Sequence, residues 1–175
     1  MRNAAIIEEI RAVLPKDSIG RYDLLTVFAH KTLLDKIVAT LAQDYRGKVD
    51  YVVAPEAIGW ILGTALAQEL GVGFVGVRKG GRLPYAETEL ISTCFSDYSG
   101  EQKSFEIHRM SPVRGKRILI VDDWVETGSQ MTALMDLLKQ LGCTIVGLAT
   151  LGIDTNEVTR EWIETGFVAH IGTDI

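Results

Sequence analysis

The sequence lacks the features that mark several large classes of protein. It contains only two cysteines, Cys94 and Cys143, without CxxC spacing, and three scattered histidines with no helical i, i+4 pair. A disulfide framework or a protein-bound zinc ion is therefore not expected. We predict that both thiols are reduced and partly buried.

Long apolar runs and an excess of basic residues are also missing. Every hydrophobic stretch is broken by Gly, Glu or Asp well short of about 18 residues, so no membrane span is predicted. The N-terminus leads into a Glu-bearing helix rather than a signal peptide. A net charge of −5, without a Lys/Arg cluster long enough to form a basic face, argues against nucleic-acid binding. We expect a cytoplasmic protein whose ligands are small molecules.

The pattern that is present indicates one α/β domain over residues 1–175. Hydrophobic residues make up 47% and charged residues 23%, which is typical of a chain that folds on its own. Two amphipathic helices are predicted before residue 48. Beyond that point short apolar strands, predicted at 51–54, 74–77, 118–121, 145–151 and 167–170, alternate with helices at 61–70, 131–141 and 157–164.

This alternation predicts a mostly parallel sheet flanked by helices. In such sheets ligands bind beyond the carboxyl ends of the strands, which directs attention to the loops after Ala54, Val77 and Val121. The polar segment from Gly80 to Gly115 is too long to be a simple connection, so it is interpreted as either a hairpin or a mobile lid.

The most informative stretch runs from Ile118 to Gln130. An apolar strand ends at two adjacent carboxylates, Asp122 and Asp123, and a short loop then opens a helix. Free backbone N–H groups at a helix start suit a phosphate, and carboxylates one sugar away can accept hydrogen bonds from ribose hydroxyls. The alternative is an ordinary connection in which the aspartates cap a helix.

Two further loops could complete a site at the same sheet edge. Arg78, Lys79 and Arg82 follow one strand and could bind a second anion, although a solvated basic turn is the alternative. Gly59, after another strand, would let the backbone approach a ligand closely. Aromatic side chains at Tyr22, Trp60 and Trp124 could stack on a planar base or simply pack in the core, and these alternatives stay open.

These residues resemble a known family. The run Val121-Asp-Asp-Trp-Val-Glu-Thr-Gly128 resembles the signature of type I phosphoribosyltransferases, and the wider pattern resembles their adenine branch. Support comes from Leu66-Ala-Gln-Glu-Leu-Gly71, from Val77-Arg-Lys-Gly-Gly-Arg-Leu-Pro84, from Phe105-Glu-Ile-His108, and from Gly115, Lys116 and Arg117. The likeness extends over roughly residues 20 to 150 in one order and spacing.

The resemblance implies a Rossmann-like core at 49–175, a small N-terminal hood at 1–48 and a flexible lid loop at 84–100. It also implies a homodimeric enzyme of purine salvage that uses 5-phosphoribosyl 1-pyrophosphate (PRPP) with Mg²⁺. The acceptor would be a purine-like base such as adenine, or another heterocyclic base. Mg²⁺ would be held mainly by substrate oxygens and water, with no metal site made by the protein alone.

By position, Asp122 and Asp123 would hold the ribose hydroxyls, and Lys79 and Asp97 join them as catalytic candidates. The resemblance implies the following further groups: Val125, Glu126, Thr127, Gly128, Ser129 and Gln130 for the 5′-phosphate; Arg78, Lys79, Arg82, Ala57 and Ile58 for the pyrophosphate; and Arg21, Tyr22 and Trp124 for the base.

The sequence departs from the family pattern at several of these positions. Glu126, Ser129 and Gln130 stand where Ala, Gly and Thr are usual, and Ile58 stands where the adenine branch carries Arg. Asp97 replaces a lid Glu. These changes leave a second hypothesis open, a non-catalytic relative that binds PRPP or a nucleotide and regulates an assembly. A dinucleotide-binding oxidoreductase is discounted because no GxGxxG follows a strand.

Overall fold

A seven-stranded sheet with helices packed on both faces forms the body of the molecule, described here from a computed structural model over residues 3–14, 23–96 and 101–173. The helices are α1 Ala4–Val13, α2 Leu25–Ala29, α3 Lys31–Ala42, α4 Gly59–Leu70, α5 Ser129–Gln140 and α6 Glu157–Glu164. The strands are β1 Tyr51–Pro55, β2 Gly73–Lys79, β3 Leu90–Ser96, β4 Gln102–His108, β5 Arg117–Val125, β6 Thr144–Ile153 and β7 Val168–Gly172.

The strand order is β3-β4-β2-β1-β5-β6-β7. The five strands from β2 to β7 in this order are parallel, whereas β4 pairs antiparallel with β2 and with β3. The α/β fold with a mostly parallel sheet is therefore confirmed. Because β2, β1 and β5 are neighbours, the three loops that follow them meet at one edge.

Alternate residues of the central strands enter two separate cores. Val52 and Ala54 of β1 pack with α1, α3 and α4 on one face, while Val53 packs with α5 on the other. Side chains alternate along a strand, so a strand covered on both faces must be apolar at every position. This explains why the parallel strands were readable as continuous apolar runs.

The helices and parallel strands fall close to their predicted positions, with two differences. The short helix α2 was not predicted, and β5 continues beyond Val121 to Val125 because Asp122 and Trp124 pair with Thr150 and Gly152 of β6. The segment after Gly80 contains the hairpin β3–β4, which was one of its two predicted forms. The division into hood, core and lid stays a prediction.

The two cysteine side chains differ in their exposure to solvent. Cys143 is buried, but Cys94 is exposed, which corrects the expectation that both thiols are partly buried. The reason is that Cys94 lies on the edge strand β3, whose residues alternate between core and solvent. None of the helices in the described part of the chain is long and apolar enough to cross a membrane.

Candidate active site

Two adjacent carboxylates stand at the carboxyl end of β5, and they are not equivalent. Asp122 is only 3% exposed, whereas Asp123 is half-buried. Oδ1 of Asp122 accepts from the main-chain N–H of Asp123 at 3.0 Å, and Oδ2 accepts from the side-chain amide of Gln130 at 2.9 Å. Burial, followed by the charge of Asp123, raises the pKa of Asp122 well above its usual value.

The first residue of α4 explains how Asp122 fits into this space. A Cβ at Gly59 would lie 2.8 Å from Oδ1 of Asp122 and 3.5 Å from the carbonyl oxygen of Val121. Gly59 was predicted to allow close approach to a ligand. In the structure, the approach that the glycine permits is that of the Asp122 carboxylate, which links the start of α4 to the end of β5.

The segment from Val125 to Gln130, which the sequence analysis predicts to bind phosphate and which is hereafter called the phosphate loop, turns the chain from β5 into α5. Gly128 has φ +83° and is the N-cap of α5. Among the described residues, no hydrogen-bond acceptor contacts the main-chain N–H groups of Glu126, Thr127 or Gly128. The loop and Asp122 line a cavity of about 180 Å³. Unpaired N–H donors at a helix start are a suitable anion site.

Two side chains of the phosphate loop are already engaged with neighbours. Ser129 donates its hydroxyl to the carbonyl of Ser96 at 2.9 Å, and Gln130 donates to Asp122. The Glu126 side chain is exposed, and its carbonyl accepts from Asn156 at 2.8 Å. The loop therefore contacts the neighbouring elements through Ser129, Gln130 and the Glu126 backbone.

A second group of charges lies beside the carboxyl end of β1. The Glu56 side chain, only 6% exposed, accepts from the main-chain N–H of Lys79 at 2.9 Å. Its carboxylate also lies 3.4 Å from Nε of Arg78 and 3.2 Å from a terminal nitrogen of Arg82. Two of the predicted pyrophosphate-binding cations therefore share a buried counter-ion, which the sequence reasoning had not identified.

The backbone of residues 80–83, which with Arg78 and Lys79 is called the basic loop, is held by a second buried carboxylate. Glu106 accepts from the N–H groups of Gly81, Arg82 and Leu83 at 2.8, 2.7 and 2.6 Å. Burial opposes ionisation of Glu106, but these three donors and the charge of Arg78 outweigh it and lower its pKa. The side chains of the basic loop, rather than these N–H groups, are left to meet an anion.

The remaining predicted site residues are placed differently. Lys79 lines a groove with Cys94, Lys103 and Ser104, on the hairpin side of β2 rather than in the cavity of the phosphate loop. In the loop after β1, Ala57 is exposed, Ile58 is half-buried, and the Glu56–Ala57 peptide is cis. The predicted residues Arg21, Tyr22 and Asp97 lie outside the described residues.

The two tryptophans near the site are firmly packed. Trp124 donates its indole N–H to Asp154 at 3.0 Å and covers Gly152, where any Cβ would overlap the ring, yet it also lines the cavity. Trp60 donates to the carbonyl of Ala54 at 3.1 Å and lies 5.9 Å from the Arg78 guanidinium. Packing therefore accounts for both rings, and Trp124 also presents a surface to the cavity.

The β3–β4 hairpin is docked on the helix that starts at the phosphate loop. Thr93 donates its hydroxyl to the carbonyl of Ala133 at 3.0 Å, in addition to the Ser129–Ser96 contact. The last residue of β3, Ser96, is therefore where the hairpin contacts the phosphate loop.

Comparison with known proteins gives consistent matches. The phosphoribosyl transferase domain family matches residues 24–170. An adenine phosphoribosyltransferase of Clostridium botulinum (strain Loch Maree / Type A3) is 39% identical over 145 residues, 81% of this chain and 82% of that protein. One of Methylorubrum extorquens (strain PA1) is 34% identical over 161 residues, 90% of this chain and 86% of that protein.

Solved structures show the same likeness. The adenine phosphoribosyltransferase of Thermoanaerobacter pseudethanolicus superposes with a TM-score of 0.81 at 32% identity, covering 95% of this chain and 99% of that one. That of Rhodothermus marinus gives a TM-score of 0.82 at 29% identity, covering 98% and 99%.

Proposed function

This chain belongs to the phosphoribosyl transferase domain family, and from that premise we propose that it transfers the 5-phosphoribosyl group of PRPP to adenine and releases pyrophosphate. The predicted family, fold class and enzyme class, a pentosyltransferase, are confirmed by these matches. The observation that carries the proposal is the paired carboxylate at the end of a buried strand, followed directly by unpaired backbone donors at the start of α5.

Each part of PRPP has a counterpart at this sheet edge. The N–H groups of Glu126, Thr127 and Gly128 would bind the 5′-phosphate. Asp123, the more accessible carboxylate, would accept from a ribose hydroxyl, with Asp122 behind it. Arg78 contacts Glu56 through Nε, and Arg82 contacts it through a terminal nitrogen. Since a guanidinium carries five N–H donors, the others are available for pyrophosphate.

The reaction breaks the bond between C1 of the ribose and a pyrophosphate oxygen, and that oxygen keeps the electron pair. A ring nitrogen of the base then bonds to C1, and the proton of that nitrogen passes to the departing pyrophosphate or to water. Positive charge develops on the sugar while negative charge grows on the leaving group. The protein's part is to hold the two reactants in line and to stabilise the departing anion with Arg78 and Arg82.

PRPP implies Mg²⁺ as its cation. The protein side chains at this sheet edge could supply only part of the ligand set for this ion. Within the described residues, no group of three or more His, Cys, Asp or Glu side chains is arranged so that it could hold a metal ion. Asp123 offers a hard oxygen ligand, and the remaining ligands would come from PRPP and water, as is usual for Mg²⁺. When bound, the ion would neutralise charge on the leaving pyrophosphate.

The test is to incubate the protein with PRPP, Mg²⁺ and a panel of purine and pyrimidine bases while measuring pyrophosphate release. We expect release that depends on adenine, with AMP as the second product. Stabilisation by PRPP in a thermal-shift experiment without turnover on any base would instead support the non-catalytic regulator. A homodimer and a cytoplasmic location, both suggested by the family resemblance, belong to the same proposal. Light scattering tests the dimer.

A further inference from the structure

Helix α6 contacts the phosphate loop from a part of the chain that the proposed reaction does not otherwise use. Its N-cap, Asn156, accepts through Oδ1 from the main-chain N–H groups of Val158 and Thr159 at 2.9 and 3.1 Å. The other end of the same amide donates from Nδ2 to the carbonyl oxygen of Glu126 at 2.8 Å. One side chain therefore caps the helix and holds the loop.

The contact with Glu126 determines where a neighbouring donor points. The peptide between Glu126 and Thr127 is trans, so its C=O and N–H point in opposite directions. Asn156 is not among the residues that line the cavity, whereas Glu126 and Thr127 are. A carbonyl drawn outward toward Asn156 therefore turns the Thr127 N–H inward.

A second set of contacts fixes the position of Asn156 relative to the phosphate loop. Gly128 packs against the same helix, since a Cβ there would lie 3.0 Å from Val158 and 3.2 Å from Trp162. The turn before α6 is fixed to the end of β5, because Asp154 accepts from the Trp124 indole at 3.0 Å. The loop is thus held at Glu126 by the N-cap of α6 and contacts the helix itself at Gly128.

If the peptide between Glu126 and Thr127 could rotate freely, the phosphate loop would bind an anion more weakly. Glu126 and Thr127 are exposed, and three consecutive N–H groups of the loop lack partners among the described residues. An exposed peptide that can rotate would present its carbonyl oxygen, an electronegative atom, to the anion for part of the time. Preorganised donors avoid that loss.

We propose that Asn156 is a positioning residue for the sugar phosphate: its amide holds the Glu126 carbonyl so that the Thr127 N–H faces the 5′-phosphate. This assignment rests on the proposed function of the phosphate loop. A residue in this role affects ligands that carry the 5′-phosphate and spares pyrophosphate, which is assigned to the basic loop.

The chain offers a well-matched substitution. Asn156→Asp keeps an oxygen that caps α6, because Asp is as good an N-cap as Asn, but it replaces the donor to Glu126 with a second oxygen. Loss of one charge-assisted hydrogen bond to the phosphate corresponds to roughly a tenfold weaker affinity. The control is Ile163→Ala, which removes a partly buried side chain near the other end of α6.

The experiment measures the dissociation constants of ribose 5-phosphate and of magnesium pyrophosphate for wild type and both variants, together with thermal unfolding. We expect Asn156→Asp to weaken ribose 5-phosphate binding roughly tenfold and to change pyrophosphate binding less than about twofold. Ile163→Ala should lower the unfolding temperature and leave the affinity for ribose 5-phosphate nearly unchanged.

Three results would overturn the assignment: unchanged ribose 5-phosphate binding in Asn156→Asp, equal weakening of both ligands, or an equal loss in Ile163→Ala. Equal loss in the control would show that docking of the whole helix, rather than the Asn156 amide, is responsible. A wild-type protein that binds pyrophosphate but not ribose 5-phosphate would overturn the function proposed for the phosphate loop itself.

Discussion

The buried carboxylate of Asp122 should reduce the stability of the folded chain at neutral pH. An aspartate in an unfolded chain has a pKa of about 3.9. In the fold the pKa of Asp122 is raised, first by burial and then by the charge of Asp123. Between those two values the folded chain binds more protons, so its free energy of unfolding falls as pH rises through this window.

Replacing the Asp122 carboxylate with a neutral amide removes the free-energy cost of burying a charge. Asp122→Asn keeps the shape of the side chain, and the Gln130 amide can turn to offer its oxygen to the new NH₂ group. We expect this variant to have a higher free energy of unfolding at pH 7, by on the order of 1 kcal/mol, because a neutral amide replaces the buried charge.

Urea denaturation at pH 7 and at about pH 4 tests this reasoning, since the gain should shrink toward zero as the pH approaches the pKa of the unfolded chain. Asp136→Asn is the control because Asp136 is exposed on α5 and pairs only with Lys139 among the described residues. A variant less stable than wild type at pH 7, or a difference that does not change with pH, would refute the argument.

Three further changes test other contacts of the site. Glu56→Gln removes the charge that neutralises two arginines, so we expect pyrophosphate to inhibit the reaction at roughly fivefold lower concentration. Gly59→Ala places a Cβ 2.8 Å from Asp122 and should raise the KM for PRPP about tenfold with little change in unfolding temperature. Hydrogen bonds from the side chain and the backbone of Arg117 on β5 lower the pKa of Asp50 to about 2. Asp50→Asn should therefore unfold at lower urea concentration at pH 7, and the difference should vanish as the pH falls from about 4 to 2, with activity unchanged.

Controls for these variants are available in the chain. Glu69→Gln makes the same charge change at an exposed carboxylate that pairs with Arg46, so it should leave pyrophosphate inhibition unchanged. Weaker inhibition in Glu56→Gln would show that Glu56 mainly orients the arginines. A normal KM in Gly59→Ala, or a stability difference in Asp50→Asn that persists at pH 2, would contradict the corresponding argument.

The parallel part of the sheet was predictable because both of its faces are covered. Strands such as β1 must then be apolar at every position, and the helices between them carry one apolar face. The hairpin was ambiguous because β3 is an edge strand that alternates between core and solvent, as Cys94 and Phe95 illustrate. The end of β5 was missed since Asp122 and Asp123 have low strand propensity, which pairing with β6 overrides.

The three loops that meet at one sheet edge could be located from the sequence, but the contacts that hold them in place could not. Glu56 and Glu106 lie more than 20 residues in sequence from the N–H groups that donate hydrogen bonds to them, and Asn156 lies 30 residues from Glu126. No local pattern signals such contacts, because they depend on which strand ends the fold brings together. The only available hint was Glu56 itself, an acid that directly follows an apolar strand.

The measurement that tests the central claim most directly is a titration of magnesium PRPP into wild type and into the double variant Asp122→Asn with Asp123→Asn. The two carboxylates and the phosphate loop together are taken to bind the sugar phosphate. We therefore predict tight binding to wild type and an affinity at least roughly a hundredfold weaker for the variant. Equal affinity in a variant that unfolds cooperatively would contradict the account.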